Sequence, residues 1–435
     1  MGKTDSTACI SRRRGLLAIS PVAVFLSLYV VVSLIAGDFY KMPISVALVA
    51  ASAWAVVIFR GRPLMERLEV FSRAAGHSNI IYKIWIFILA GAFATLARET
   101  GAVEATVDFA LDIFPARWIV PGLFVAACFI SLSVGTSVGT VVALAPLAVE
   151  FSQASGNSTA MYVAVVLGGA FFGDNLSFIS DTTIAATRSQ GCEMADKFKA
   201  NLWITLPAAL VTLILYTLIS ADTGEITRSG HGHTSWLILP YILVIVTAMM
   251  RFNVTVVLLL GIISSMVIAL TTGHAMFDIL AHMGNGIDSM GNLIIITLLS
   301  AGMLGIIKAA GGIDWLLQCL TGRINGRRGG QVCIAMLVSI VNLCTANNTV
   351  AIITVGSLSH EISNRYGIVP RKSASLLDTC SCIVQCLIPY GAQTLLATSL
   401  AGISPAAPFA YLYYPWALAV MVILSIIFLF PRRAQ

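Results

Sequence analysis

Within residues 168–187, two carboxylates and a run of hydroxyls interrupt otherwise apolar sequence: Asp174 and Asp181, with Ser177, Ser180, Thr182 and Thr183 around them. Asp174, Ser177 and Asp181 stand at i, i+3 and i+7, which places all three on one stripe if the stretch is a single helix. Acids inside a membrane are costly unless they face a wet cavity or hold a cation, so the default reading is functional. The plainer reading is two acids at helix ends beside a loop. Carboxylates with hydroxyls and freed carbonyls are hard oxygen ligands, which small hard cations prefer. The same carboxylate takes a proton when the cation leaves. Competition of Na+ and H+ for one such site is enough for exchange, provided the empty charged site does not cross readily. Asp174 and Asp181 are the natural pair to hold Na+, with Ser177 and Thr182 as supporting ligands.

A second polar stretch, residues 131–140, is rich in small and hydroxyl residues and contributes Thr136 and Ser137. Either its hydroxyls share a helical face, or Gly135 and Gly139 break the helix and expose carbonyls. Close packing through Gly135-x-x-x-Gly139 is the structural alternative, and the two are compatible.

Parts of the second half repeat the first. Residues 86–104 align with 296–314 without a gap. Residues 133–140 correspond to 344–351, which supply Asn347, Asn348 and Thr349. Asp378, Ser381 and Gln385 repeat the spacing of Asp174, Ser177 and Asp181, with Gln in place of the second acid. Asp378 and the asparagines would then supply the other half of the cation site. The repeats run from about 84 to 200 and from about 291 to 400, within one membrane domain covering 1–435. Pro389-Tyr390-Gly391 marks a further break where carbonyls can line a cavity.

The elements that must position these residues are membrane helices. Hydrophobic residues make up 58% of the 435 and charged residues 11%, against about 25% charged in soluble domains. The fold class is an all-α polytopic membrane protein with about 10 to 12 transmembrane segments, some broken or re-entrant. The net charge of +6 follows basic loops rather than a nucleic-acid surface. Arg12, Arg13 and Arg14 precede the first apolar run; Arg60 to Lys83, then Arg188, Lys197 and Lys199, mark cytoplasmic loops; Arg432 and Arg433 close the chain. Both termini are therefore expected in the cytoplasm, and the repeats are expected to be inverted across the membrane. His231 and His233 fall in an outside loop and read as solvated. The nine cysteines, Cys380, Cys382 and Cys386 among them, read as small apolar residues. No P-loop and no catalytic constellation stands out, so neither an ATP-driven pump nor an enzyme is expected, and no cofactor. The expected partners are lipid and small cations or a small organic substrate, with no nucleic acid; the sequence leaves room for a homo-oligomer.

At these residues the chain resembles the NhaC family of sodium/proton antiporters, within the broader ion transporter superfamily. The matching pieces are residues 135–140, Gly173-Asp174-Asn175-Leu176-Ser177 with Ser180-Asp181-Thr182-Thr183, and Leu387-Ile388-Pro389-Tyr390-Gly391. The resemblance implies sodium/proton exchange, an inverted-repeat fold and a bacterial inner-membrane setting. It also admits exchangers of organic substrates such as malate and lactate. Val138 and Tyr390 stand where the family often has Trp.

Overall fold

The computed structural model describes residues 11–36, 42–178, 180–220, 235–250, 252–321 and 326–430. His231, His233, Arg251, Arg323, Arg432 and Arg433 lie outside the described residues. Among the described residues all regular structure is helical. The first half runs through α1 (Arg12–Ala36), α2 (Ile44–Ile58), α3 (Leu64–Ala75), α4 (Ser78–Glu99), α5 (Ala102–Ile113), α6 (Ile119–Val134), α7 (Ser137–Ser155), α8 (Thr159–Leu176), α9 (Asp181–Gln190) and α10 (Met194–Ser220). The second half runs through α11 (Leu239–Met249), α12 (Val254–Thr271), α13 (Met276–Ser289), α14 (Gly291–Ala309), α15 (Gly312–Thr321), α16 (Gly326–Thr345), α17 (Asn348–Tyr366), α18 (Pro370–Leu387), α19 (Ala392–Ala401) and α20 (Tyr413–Ile427).

Among the described residues eight stretches are long and apolar enough to cross a membrane, and four shorter apolar helices accompany them. Large apolar side chains cover the outside: Val46 on α2, Trp203 and Leu218 on α10, Ile263 on α12 and Val420 on α20 are all exposed. In water such a surface would be untenable; in a bilayer it is the lipid face.

From α7 to α9 and from α17 to α19 the helices of the two halves match in order and length. α7 and α17 each have 19 residues, α8 and α18 each 18, α9 and α19 each 10. Gly135, Gly156 and Gly191 carry positive φ after α6, α7 and α9; Ala346, Gly367 and Gly402 do so after α16, α17 and α19. Packing is reciprocal as well. α4 lies on α13 and α3 on α14; α7 lies on α19 and α9 on α17; α8 touches α20 and α18 touches α10. At the centre α8 meets α18.

The close approach of α6 and α8 rests on Gly169 and Gly173. A methyl group on Gly173 would run into the Ser131 side chain and the Leu132 backbone, and one on Gly169 into Ala127 and Cys128. Small residues let the backbones meet. Ser131 Oγ then donates to the Ala170 carbonyl at 2.6 Å. At the matched place between α16 and α18, Asn342 Nδ2 donates to the Ser381 carbonyl at 2.7 Å. Gly173→Ala is therefore expected to cost about 1–3 kcal/mol through overpacking, read as a lower Tm of the detergent-solubilised protein.

Three features differ from the sequence reading. The stretch holding Asp174, Ser177 and Asp181 is not one helix: α8 ends at Leu176 and α9 starts at Asp181. Ser180 causes this, because its hydroxyl caps the new helix by accepting the Thr183 amide at 3.2 Å. Lys83 and Lys197 lie in α4 and α10 rather than in loops, and Lys197 is fully buried. The register of the halves also places Asp174 opposite Gln385, not Asp378, because both stand three residues before the break that ends α8 or α18. The Asp-x-x-Ser spacing recurs two turns earlier in α18, and that coincidence misaligned it.

Candidate functional site

Four broken helices meet around the ends of α8 and α18. α6 stops at Val134; Gly135 turns left-handed (φ 75°), Thr136 is extended, and α7 starts at Ser137. In the second half Ala346 (φ 47°) and the extended Asn347 separate α16 from α17. Residues 177–180 separate α8 from α9, and residues 388–391, with Pro389, separate α18 from α19. Proline lacks the amide that a continuing helix needs.

Ala346 takes the left-handed conformation without being glycine, which costs about 1–2 kcal/mol. Ala346→Gly is expected to raise the Tm by relieving it. A fall in Tm would show that the Ala346 methyl packs more favourably than its backbone is strained.

Asp174 sits in the last turn of α8, buried. Its Oδ1 accepts the backbone amide of Ser137 at 3.0 Å. That amide belongs to the first turn of α7, where unpaired N–H groups and the helix dipole favour negative charge. Ser137 Oγ accepts from Gln393 Nε2 at 3.0 Å, on α19. Gln393 Oε1 in turn accepts from Gln385 Nε2 at 3.0 Å, and Gln385 Nε2 also donates to the Ala346 carbonyl at 3.0 Å. A chain of buried polar groups thus runs from Asp174 across to the matched position in the other half. Among the described residues Asp174 has no ion-pair partner.

Asp378 is different. It lies in the middle of α18, fully buried. Its Oδ2 pairs with Lys197 Nζ at 2.7 Å and accepts Asn201 Nδ2 at 2.8 Å. Lys197 also donates to the Asn175 carbonyl at 2.8 Å and to Thr183 Oγ1 at 2.7 Å. Asn201 Nδ2 reaches the same Asn175 carbonyl at 2.7 Å. The freed carbonyl at the end of α8 is therefore held by two donors from α10. Asn175 Nδ2 donates to Tyr414 Oη at 3.1 Å, which ties α8 to α20. Asn201, Gln393 and Tyr414 were not singled out from the sequence, and Lys197 reads there as a loop cation. The one usable signal is Lys197 and Asn201 at i, i+4, sharing a helix face.

The remaining candidates divide between the junction and a cavity. Ser177 is buried, and its carbonyl accepts Thr183 Oγ1 at 2.8 Å. Thr182 is buried beside Ser180, with 3.1 Å between the hydroxyls. Asp181 is exposed and lines a cavity of about 630 Å³ with Thr136, Asn347 and Thr349. Asn347 Oδ1 caps α17 by accepting the Val350 amide at 3.2 Å. Asn348 Oδ1 accepts the Thr349 amide at 3.0 Å. Ser381 Oγ bonds back to the Asp378 carbonyl at 2.9 Å, so it serves α18 itself. Asp174 and Asp181 are thus separated by a helix break, one inside and one at a cavity wall.

Asn175 Oδ1, Asn201 Oδ1, Asp378 Oδ1 and Gln385 Oε1 are buried with no hydrogen-bond partner among the described residues. Such oxygens are the ligand type that replaces the hydration shell of a hard cation.

The profile of the Na+/H+ antiporter family matches residues 14–221 and 227–431. The chain is 25% identical over 369 residues to the Na+/H+ antiporter NhaC of Alkalihalophilus pseudofirmus, covering 77% of this chain and 79% of that protein. It is 25% identical over 363 residues to the Na+/H+ antiporter NhaC of Bacillus subtilis, covering 75% and 80%. It is 22% identical over 425 residues to the malate-2H+/Na+-lactate antiporter of Bacillus subtilis, covering 90% of each. With its two halves matched separately, and with apolar helices fit to cross a membrane, the chain belongs to the Na+/H+ antiporter family.

Proposed function

We propose that this chain is a secondary transporter exchanging Na+ for H+, with Asp174 as the carboxylate that holds one or the other. One observation carries the reading: of the two buried acids at the centre, Asp378 is neutralised by Lys197, while Asp174 has a helix-start amide and no cation. An intramembrane carboxylate left in that condition is the natural place for a mobile cation or a proton. Ser137, Gln385 and Asn347 stand at the same junction, and Asp181 and Thr136 line the approach to it. Asp378 acts through Lys197, fixing the end of α8 that carries Asp174.

Reciprocal packing of the two halves supports a two-fold relation between them. We read that axis as lying in the membrane plane, so the halves are inverted, as in many transporters with a midplane site. By the positive-inside rule we read Arg60, Arg62, Arg73 and Arg188 as facing the cytoplasm of a bacterial inner membrane, with both termini on that side and the cavity that Arg188 lines opening there.

The test is purified protein in liposomes with an imposed pH gradient and a trapped pH dye. Na+ alone should collapse the gradient with no organic solute present. Collapse only after malate, lactate or an amino acid is supplied would assign an organic-substrate carrier instead. Because protonated Asp174 cannot hold Na+, the half-saturating Na+ concentration is expected to rise as pH falls. A value independent of pH would rule out a shared site.

A further inference from the structure

Gln393, the second residue of α19, is buried and touches both halves of the molecule at once. The direction of its contacts is fixed from one end. The Ala346 carbonyl can only accept, so the Gln385 atom facing it at 3.0 Å is Nε2. The same Nε2 lies 3.0 Å from Gln393, which must therefore present Oε1 there. That turns Gln393 Nε2 toward Ser137 Oγ, 3.0 Å away, and makes the hydroxyl the acceptor. Ser137 keeps one lone pair and its own proton outside this contact. Its amide already holds Asp174 Oδ1 at 3.0 Å, and its side chain is within hydrogen-bonding reach of the same carboxyl. Gln385 is fixed as well. A methyl group on Gly391 would press on the Gln385 backbone carbonyl and on Nε2, so the break after α18 packs against the amide. Gln385 Oε1 is left buried with no hydrogen-bond partner among the described residues. In the first half the second residue of α9 is Thr182, a side chain too short to span two partners in this way.

We propose that Gln393 is a positioning residue for the exchange: it holds the Ser137 hydroxyl at Asp174 and the Gln385 amide in the other half as ready-made oxygen ligands, and so sets how tightly the junction binds Na+. The inference rests on the reading of Asp174 as the exchange site. A binding site either has its ligand groups in place beforehand or loses affinity to the cost of ordering them. Gln393 has both amide atoms engaged, Oε1 with Gln385 and Nε2 with Ser137, so it acts through these neighbours. A contact that holds the bound ion equally well throughout the cycle changes the half-saturating concentration and leaves the maximal rate.

The experiment is Na+-driven collapse of a pH gradient by the purified full-length protein in liposomes, with the half-saturating Na+ concentration and the maximal rate read separately. Gln393→Met keeps the bulk of the side chain and removes both hydrogen bonds. It should raise the half-saturating Na+ concentration about tenfold, equivalent to about 1.4 kcal/mol, with the maximal rate within about twofold. Gln393→Asn is one methylene too short to reach both neighbours. It should act in the same way, and it keeps the test open if Gln393→Met fails to fold. A double-mutant cycle tests the route through Ser137. Ser137→Ala keeps the amide to Asp174, and in that background Gln393→Met should change the half-saturating concentration by no more than about threefold. A full tenfold change there would overturn positioning through Ser137. An unchanged half-saturating concentration in Gln393→Met and Gln393→Asn, or a loss confined to the maximal rate, would overturn the inference alone, because wild-type exchange still supports the antiport reading. Wild type that does not collapse the gradient with Na+ overturns the antiport reading itself.

Discussion

Asp174→Asn is expected to give a folded, membrane-inserted protein that no longer collapses a pH gradient when Na+ is added. Asparagine keeps the size of the side chain and an oxygen that can accept the Ser137 amide, so the contact at 3.0 Å can survive. What disappears is the charge. A unit charge 4 Å from a cation, at an effective dielectric constant of about 20, is worth about 4 kcal/mol, or about a thousandfold in affinity. Among the described residues the substitution also removes the buried carboxylate at the junction that has no paired lysine. Asp181→Asn should act differently. Asp181 is exposed at the cavity wall, where water and salt screen its charge, so the expected loss is within about tenfold. Equal, complete inactivation by both substitutions would move the exchange site out to Asp181.

Lys197→Ala is expected to damage the fold more than the transport chemistry. Its ammonium makes three contacts, all buried, to Asp378, the Asn175 carbonyl and Thr183. Removing one member of a buried pair leaves the other charged and unpaired, typically at a cost of about 3–5 kcal/mol. Thermal unfolding of Lys197→Ala, Asp378→Leu and the double variant forms a cycle that isolates the pair. Each single variant should unfold at a clearly lower temperature. The double variant should recover part of the loss, since the orphaned charge is gone. Additive losses would mean that the two residues do not act as a pair. Asp378→Asn should likewise lower stability more than it changes the half-saturating Na+ concentration.

Much of this arrangement is legible in the residues, for identifiable reasons. Apolar run length reveals membrane helices because backbone groups in lipid must be satisfied within the helix. Pro389 and Gly135 announce breaks because one lacks an amide and the other accepts a left-handed turn. Asp174 stands out because a carboxylate amid apolar neighbours needs a reason. Lys197 did not stand out. A lysine near a helix start reads as a loop cation, and only the tertiary fold brings it to Asp378 on α18. The helix break after Leu176 matches the plainer reading of two acids at helix ends beside a loop, and Ser180 with Thr183 is its capping pattern. Hydroxyl residues spaced for one helical stripe match the start of a new helix equally well. The equivalence of Asp174 with Gln385 needed the positions of the breaks, because a short polar spacing can recur two turns away by chance.

The most direct measurement is proton release on Na+ binding. Purified protein in lightly buffered detergent solution receives Na+ at a pH where the site is protonated, and the proton change is compared with the Na+ bound. If Asp174 holds either ion, each Na+ displaces a proton, and Asp174→Asn abolishes both binding and release while Asp181→Asn keeps both. Na+ that binds wild type without releasing a proton, or binds Asp174→Asn as well as wild type, would contradict a shared site at Asp174.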